Sequence, residues 1–337
     1  MLLVIRDNLL PPVSTGTGGR IVRKGSAMAS TVGTTETTPL APVAPGVKKE
    51  ERGRRGPYPY WFYLPAAIIY AIFFVLPTLV SFYFSFTRWD LFTSHWIGLK
   101  KYVTFFNEQA LVIGLRNTLI YAVMTSGLKV VIGLLLAVLL TSKIIARGYL
   151  RSVIFFPVLV SVIGVGFTFT ALMNPEIGLI NKALGAVGID GPGWLTNPSL
   201  AIFSIALVDV WKGVGLATVI FIAGIVSIPS DYHEAAQVDG ASRSKAFWSI
   251  TLPLARPAVA TVITLSLIGG LRSFDLIWAM TGGGPGFASD TVASVIFKQY
   301  QAGFYGLSTA GSVVLFLLVT VIIVPLTWWL NRHEVDR

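Results

Sequence analysis

Six stretches of this chain run for twenty residues or more with few ionisable side chains, at 61–85, 117–141, 152–173, 201–228, 257–280 and 307–330. A hydrocarbon core takes about 20 helical residues to cross. Lipid offers no partner for a bare peptide group, so each run must close its backbone hydrogen bonds within itself, as a helix. With 54% hydrophobic and 12% charged residues and a mean hydropathy of +0.71, the chain is too apolar for a water-soluble core. The fold class expected is all-α, a polytopic membrane protein with six transmembrane helices.

Charge sets the orientation of these spans. Residues 1–57 are rich in Pro, Thr, Gly and Ser without periodicity and are expected to form a disordered tail. The opening MLLVI is too short to span a membrane, no signal-peptide pattern follows it, and Met28 is an alternative start. Lys48, Lys49, Arg52, Arg54 and Arg55 stand before the first span, where they hold the amino terminus in the cytoplasm. That places Lys143, Arg147, Arg151, Arg243, Lys245, Arg256, Arg332 and Arg337 on the same side. Arg88, Lys100, Lys101, Arg116, Lys182 and Lys298 fall outside. Residues 58–332 then form one domain in the cell membrane, with a short cytoplasmic tail at 333–337. The net charge of +10 calls for no nucleic acid, because nine of the 26 basic residues lie at or before Arg55. There is no cysteine, and His95, His233 and His333 lack ligand spacing, so no disulfide, thiolate or metal chemistry is expected.

A polar island, DYHEAAQVDGASRSKAFWSITLP, interrupts the apolar pattern at 231–253. Asp231 is a candidate helix cap with Glu234 reaching back toward it, and Gly240 ends the helix-compatible run. A second helix starts near Ser242, gathers Ala246, Phe247, Ile250 and Leu254 on one face, and ends at Pro253. Helices this short are marginal in water and need something to lie against, either headgroups or another protein. Glu234, Ala235, Ala236, Asp239, Gly240, Ile250, Leu252 and Pro253 resemble, in type and interval, the EAA signature of permease subunits of type I ABC importers. The resemblance implies a coupling helix that docks in a cleft of a cytoplasmic ATPase, a mechanical joint without chemistry of its own.

The segment 174–199 holds a second short amphipathic helix, with Leu179, Ile180, Ala183, Leu184 and Val187 on one side and Trp194 as an interfacial anchor. It resembles the external scoop beneath the binding protein in maltose-type permeases.

Ionisable groups at membrane depth cost at least about 2.5 kcal/mol and normally face the bundle interior or a wet cavity. Asp209 and Lys212 share a helix face and are candidates to neutralise each other, as are Arg272 and Asp275. Lys129 has no local partner. Such charges also suit a stand-alone ion-coupled secondary transporter of a small polar solute, the rival reading. No carboxylate pair or activated nucleophile lies at a plausible depth, so the chain is not read as an enzyme.

The fifth span ends in SFDLIWAMTGGGP, where three glycines and a proline permit an abrupt turn. With DVWKGVG, FYGLSTAGS and the elbow, this ending resembles the carbohydrate-uptake branch of the type I importers, the MalF-like sugar permeases. By matched motif the resemblance implies a midplane substrate site at Val158 and Val162, at Trp211, Lys212, Gly213 and Leu216, and at Ser266, Gly269, Gly270 and Ser273. The last four lie at helical spacings on one face, combining hydroxyls with a gap in the side-chain wall. Trp211 offers a ring for stacking on a sugar, and Lys212 offers a donor. Val158, Val162 and Leu216 are apolar where hydroxyls or aromatics would suit a disaccharide. The chain has no G-x-x-x-x-G-K-[ST] loop, so ATP and magnesium are expected on partner subunits and no cofactor on this one. The implied partners are a second homologous permease, two ATPase subunits, an extracytoplasmic solute-binding protein, the sugar itself and membrane lipid.

Overall fold

The computed structural model describes residues 60–89, 92–142 and 144–332. The expectations for 1–57, for Lys143 and for 333–337 therefore lie outside the described residues. Helix α1 (Trp61–Ser85) leads to a small antiparallel hairpin, β1 (Thr87–Trp89) and β2 (Ser94–Trp96), with Arg88 opposite His95. The hairpin is an addition to the all-α fold expected. A surface helix α2 (Lys100–Asn107) follows, and then α3 (Gln109–Thr141).

Helix α3 is the mast of the bundle. Its 33 residues make it roughly 50 Å long. It begins eight residues before the apolar run at 117, with Arg116 exposed so that its guanidinium reaches toward water. Helices α7 (Ala201–Val226), α10 (Arg256–Leu271) and α12 (Val292–Gln301) pack along it. Small buried residues, Ala122, Ser126 and Ala137 on α3 with Ala206 and Ala217 on α7, allow the close approach that replaces hydrophobic driving force inside a membrane. Phe221, Leu140 and Val262 fill the core at the far end of α3, and Phe105, Leu111 and Val295 fill it near Gln109. The last helix, α13 (Tyr305–Asn331), lies against α12 and carries α1 on its flank, where the Phe82 and Phe316 rings meet edge to face at 5.8 Å. Up to Phe84, α1 buries no side chain completely, and only Thr78, Ser81, Phe82 and Phe84 are half-buried.

Two of the expected continuous spans are broken. The run 152–173 is two helices, α4 (Arg147–Leu159) and α5 (Val162–Leu172), set at 96°. Pro157 removes an amide donor inside α4, and the β-branched run Val158, Val160, Val162 and Ile163 favours the extended backbone found at Val160 and Ser161. The run 257–280 divides into α10 and α11 (Asp275–Thr281). Gly269 and Gly270 are weak helix formers, and the freed Ser273 carbonyl is taken by the Thr291 hydroxyl at 3.1 Å. Helix α5 packs on α11 through Gly166 and Ala279. Among the described residues four helices are continuous and long enough to cross a membrane, or six when each of two bent pairs, α4 with α5 and Arg243–Leu254 with α10, counts as one.

The short helix read at 179–187 is α6 (Leu179–Ala186). Ile180 and Trp194 pack on the buried cluster of Tyr121, Ile205 and Ile277, and Trp194 Nε1 donates to Asn181 Oδ1 at 2.6 Å. Trp194 is half-buried.

Candidate functional site

The elbow has the two-helix form expected: α8 (Ser230–Val238) and α9 (Arg243–Leu254), hinged at Gly240. Gly240 has φ +71°, and the Ala241 amide donates back to the Ala236 carbonyl at 2.9 Å, so a left-handed residue closes the helix. The Ser242 hydroxyl caps α9 by accepting from the Lys245 amide. Asp231 is not the cap of α8. Pro229 occupies that position without a side-chain bond, and Asp231 sits in the first turn, where its charge suits the helix N-terminus. Glu234 reaches no backbone donor and, with Ala235, Asp239 and Gly240, stands exposed, while Ala236 is buried beneath them. Ile250, Leu252 and Pro253 are half-buried, and α9 turns by 67° at Ala255 into α10. His233 and Ala236 face a groove of about 690 Å³ shared with Thr141 and Ile228, which fixes the elbow at the Thr141 end of α3.

The implied midplane residues only partly converge. Gly213, Leu216, Ser266 and Gly269 line a notch of about 110 Å³ between α7 and α10, closed from behind by Lys129 of α3. A Cβ on Gly213 would stand 2.7 Å from Lys129 Cε, so the absence of a side chain there is what lets the lysine stem cross α7. Lys129 Nζ then meets Asp209 Oδ2 at 2.7 Å. Asp209 thus pairs across helices rather than with Lys212, and Lys129 does have a partner. Lys212 Nζ instead donates, at 3.4 Å, to the Val158 carbonyl beside the break between α4 and α5. Arg272 and Asp275 form no ion pair; among the described residues the ion pairs are Lys129–Asp209 and Lys298–Asp290.

The other implied positions lie apart from the notch. Trp211 is 44% exposed and its ring leans on Phe169 at 5.2 Å. Val162 packs against the core, and Val158 lends its carbonyl to Lys212. Gly270 faces Ala122 and Thr125 on α3, a packing position, and Ser273 lies beyond the end of α10, so the four residues from Ser266 to Ser273 do not share one helical face. Sequence reasoning missed Lys129 and Tyr121 as members of this seam. The Tyr121 hydroxyl is buried beside Asp209 and Ser273 without a well-formed hydrogen bond to either. A lysine in the middle of an apolar run, with a glycine four residues after an aspartate on another, was the available signal.

Beyond the notch, the TGGGP turn is pinned from α3. Asn117 Nδ2 donates to the carbonyls of Ala288 and Asp290, each at 2.9 Å, and the Thr118 hydroxyl accepts from the Val292 amide at 2.9 Å. The Asp290 carboxylate is fully buried and held by Lys298 and Ser294, each at 2.7 Å.

Known proteins are similar to this chain in sequence and in fold. The chain is 34% identical to the trehalose/maltose transport system permease protein MalF of Thermococcus litoralis, over 77% of this chain and 89% of the relative. It is 32% identical to the arabinooligosaccharides transport system permease protein AraP of Bacillus subtilis, over 80% and 87%. In fold it is similar to a chain of a bacterial ABC transporter involved in the import of the acidic polysaccharide alginate, with TM-score 0.70, 23% identity, and 81% and 94% of the two chains covered. Residues 129–334 match the family of binding-protein-dependent transport system inner membrane components, and with the elbow, the notch and the bundle in place this multi-pass membrane protein belongs to that family.

Proposed function

We propose that this chain is the permease subunit of an ABC importer that moves a sugar or sugar derivative into the cell by ATP-driven alternating access. The observation that carries the reading is the elbow: a hinged pair of short helices at one end of the bundle, presenting Glu234, Ala235 and Asp239 outward and leading without a loop into α10. One of two ATPase subunits grips it from the cytoplasm, and the pair holds the ATP and magnesium. A second, homologous permease completes the path, and an extracytoplasmic binding protein delivers the solute. The sugar class is supported by the trehalose/maltose and arabinooligosaccharide relatives.

In this mechanism closure of the ATPase pair pulls on α8 and α9. Because α8 follows α7 after three residues and α9 joins α10 at Ala255, a tilt of the elbow is passed to both walls of the notch. The site opens outward, receives solute, and returns it inward as the ATPases separate. Both termini then lie in the cytoplasm. The test is reconstitution of the chain with its partner subunits and binding protein in proteoliposomes. Glu234→Lys and Gly240→Pro are expected to insert normally but to lose ATPase co-purification and ligand-stimulated uptake. Normal uptake in both variants overturns the coupling role, and transport by this chain alone, driven by an ion gradient, overturns the importer reading.

A further inference from the structure

Lys129 is 8% exposed, and its ammonium has three protons to place. One goes to Asp209 Oδ2; no other acceptor in the described residues takes the remaining two. The same side chain forms the back wall of the notch, next to Ser266, whose hydroxyl makes no hydrogen bond within the described residues, and to Gly213 and Gly269, which leave backbone within reach. The notch thus presents free donors and a free hydroxyl on an apolar frame of Leu216, Val262 and Leu265. An ammonium with protons to spare beside an unengaged hydroxyl at an open notch is what a polar solute would meet there.

Electrostatics select what enters. Asp209 at 2.7 Å cancels the ammonium charge, so a carboxylate or phosphate arriving in the notch finds little net attraction to set against its lost hydration. A hydroxyl accepts from Lys129 and exchanges a bond with Ser266 while bringing no charge of its own. We infer that Lys129, held in place by Asp209, is a substrate-contacting, specificity-determining residue that donates to a hydroxyl of a neutral sugar unit seated between Gly213 and Ser266. The inference rests on the importer reading and adds to it the charge class of the solute.

The experiment uses the assembled complex with its binding protein in proteoliposomes, with trehalose, maltose and digalacturonate as probes. The neutral pair Lys129→Met with Asp209→Asn removes the donor without leaving a buried charge. It is expected to co-purify with the partner subunits, while KM for uptake of the neutral disaccharide rises about 10- to 100-fold. The exchanged pair, Lys129→Asp with Asp209→Lys, is expected to restore assembly but not uptake. Wild-type KM in either double variant overturns the inference and returns the pair to packing, as does a wild-type preference for digalacturonate. Should both double variants fail to assemble, Ser266→Val decides: it fills the notch without touching the pair, and unchanged KM overturns the inference. Uptake of the neutral disaccharide by this chain alone, without the partner ATPases, overturns the importer reading on which the inference rests.

Discussion

Lys129 on α3 and Asp209 on α7 hold each other at 2.7 Å across 80 residues of chain, joining the two most extensively packed helices of the bundle. With side chains 10% and 22% exposed, the pair sits where neither charge is well hydrated. Removing one partner leaves the other uncompensated.

Asp209→Ala alone is therefore expected to destabilise the subunit by about 3 kcal/mol, the low end for breaking a buried pair. Thermal unfolding of the detergent-solubilised complex measures it. Adding Lys129→Met to that variant is expected to recover much of the loss, and a double variant no more stable than the single one contradicts the pairing.

The hinge depends on one backbone conformation. Gly240 has φ +71° with open space around it, so Gly240→Ala meets no clash and costs only the left-handed strain, about 1–2 kcal/mol. Weakened binding of the ATPase subunits by roughly tenfold, with membrane insertion unchanged, is the expected result in a pull-down titration.

Asn117 ties the turn after α11 to the mast through the carbonyls of Ala288 and Asp290. Asn117→Ala leaves these acceptors without their donor at a cost of about 2 kcal/mol. Hydrogen exchange should quicken in peptides covering 284–292 and stay unchanged in α8, which distinguishes local release from global unfolding.

Lys101 lies on α2, outside the spans, where burial and then the nearby charge of Arg88 hold its ammonium below the usual lysine pKa of 10.5. Its folded-state pKa is the lower one, so between that value and 10.5 the unfolded chain binds more protons. Stability contributed by this group rises with pH through that window. Lys101→Met is expected to flatten the rise, read as melting temperature against pH from neutrality into the alkaline range.

Much of this was legible in the chain itself. Apolar length marks α1, α3, α7 and α13, and Gly240 with Ser242 marks the hinge, because those signals are local: a span's length and a cap's chemistry depend on a few neighbouring residues. The breaks after Leu159 and Leu271 were hidden because membrane-length hydropathy is blind to bends within an apolar run; only Pro157 and the paired glycines hint at them. Charge pairing was misread for a related reason. Spacing of three on one helix joined Asp209 to Lys212, whereas the crossing of α3 over Gly213 brings in Lys129, a tertiary fact with no sequence interval. The implied substrate residues split in the same way: those facing Lys129 form the notch, and Gly270 and Ser273 go to packing and to the turn.

The bare flank of α1 bears on how such a chain is made. Lipid tails are as apolar as leucine, so along most of its length nothing draws this helix toward its neighbours except shape; at its end Ser85 accepts from the Tyr102 hydroxyl at 2.7 Å. Its companion, α13, is made after every other helix named above. Until Tyr305 and its successors are made, the opening rod is held at its Ser85 end by the Tyr102 hydroxyl, and a message cut short there yields a first helix pinned at one end and loose at the other.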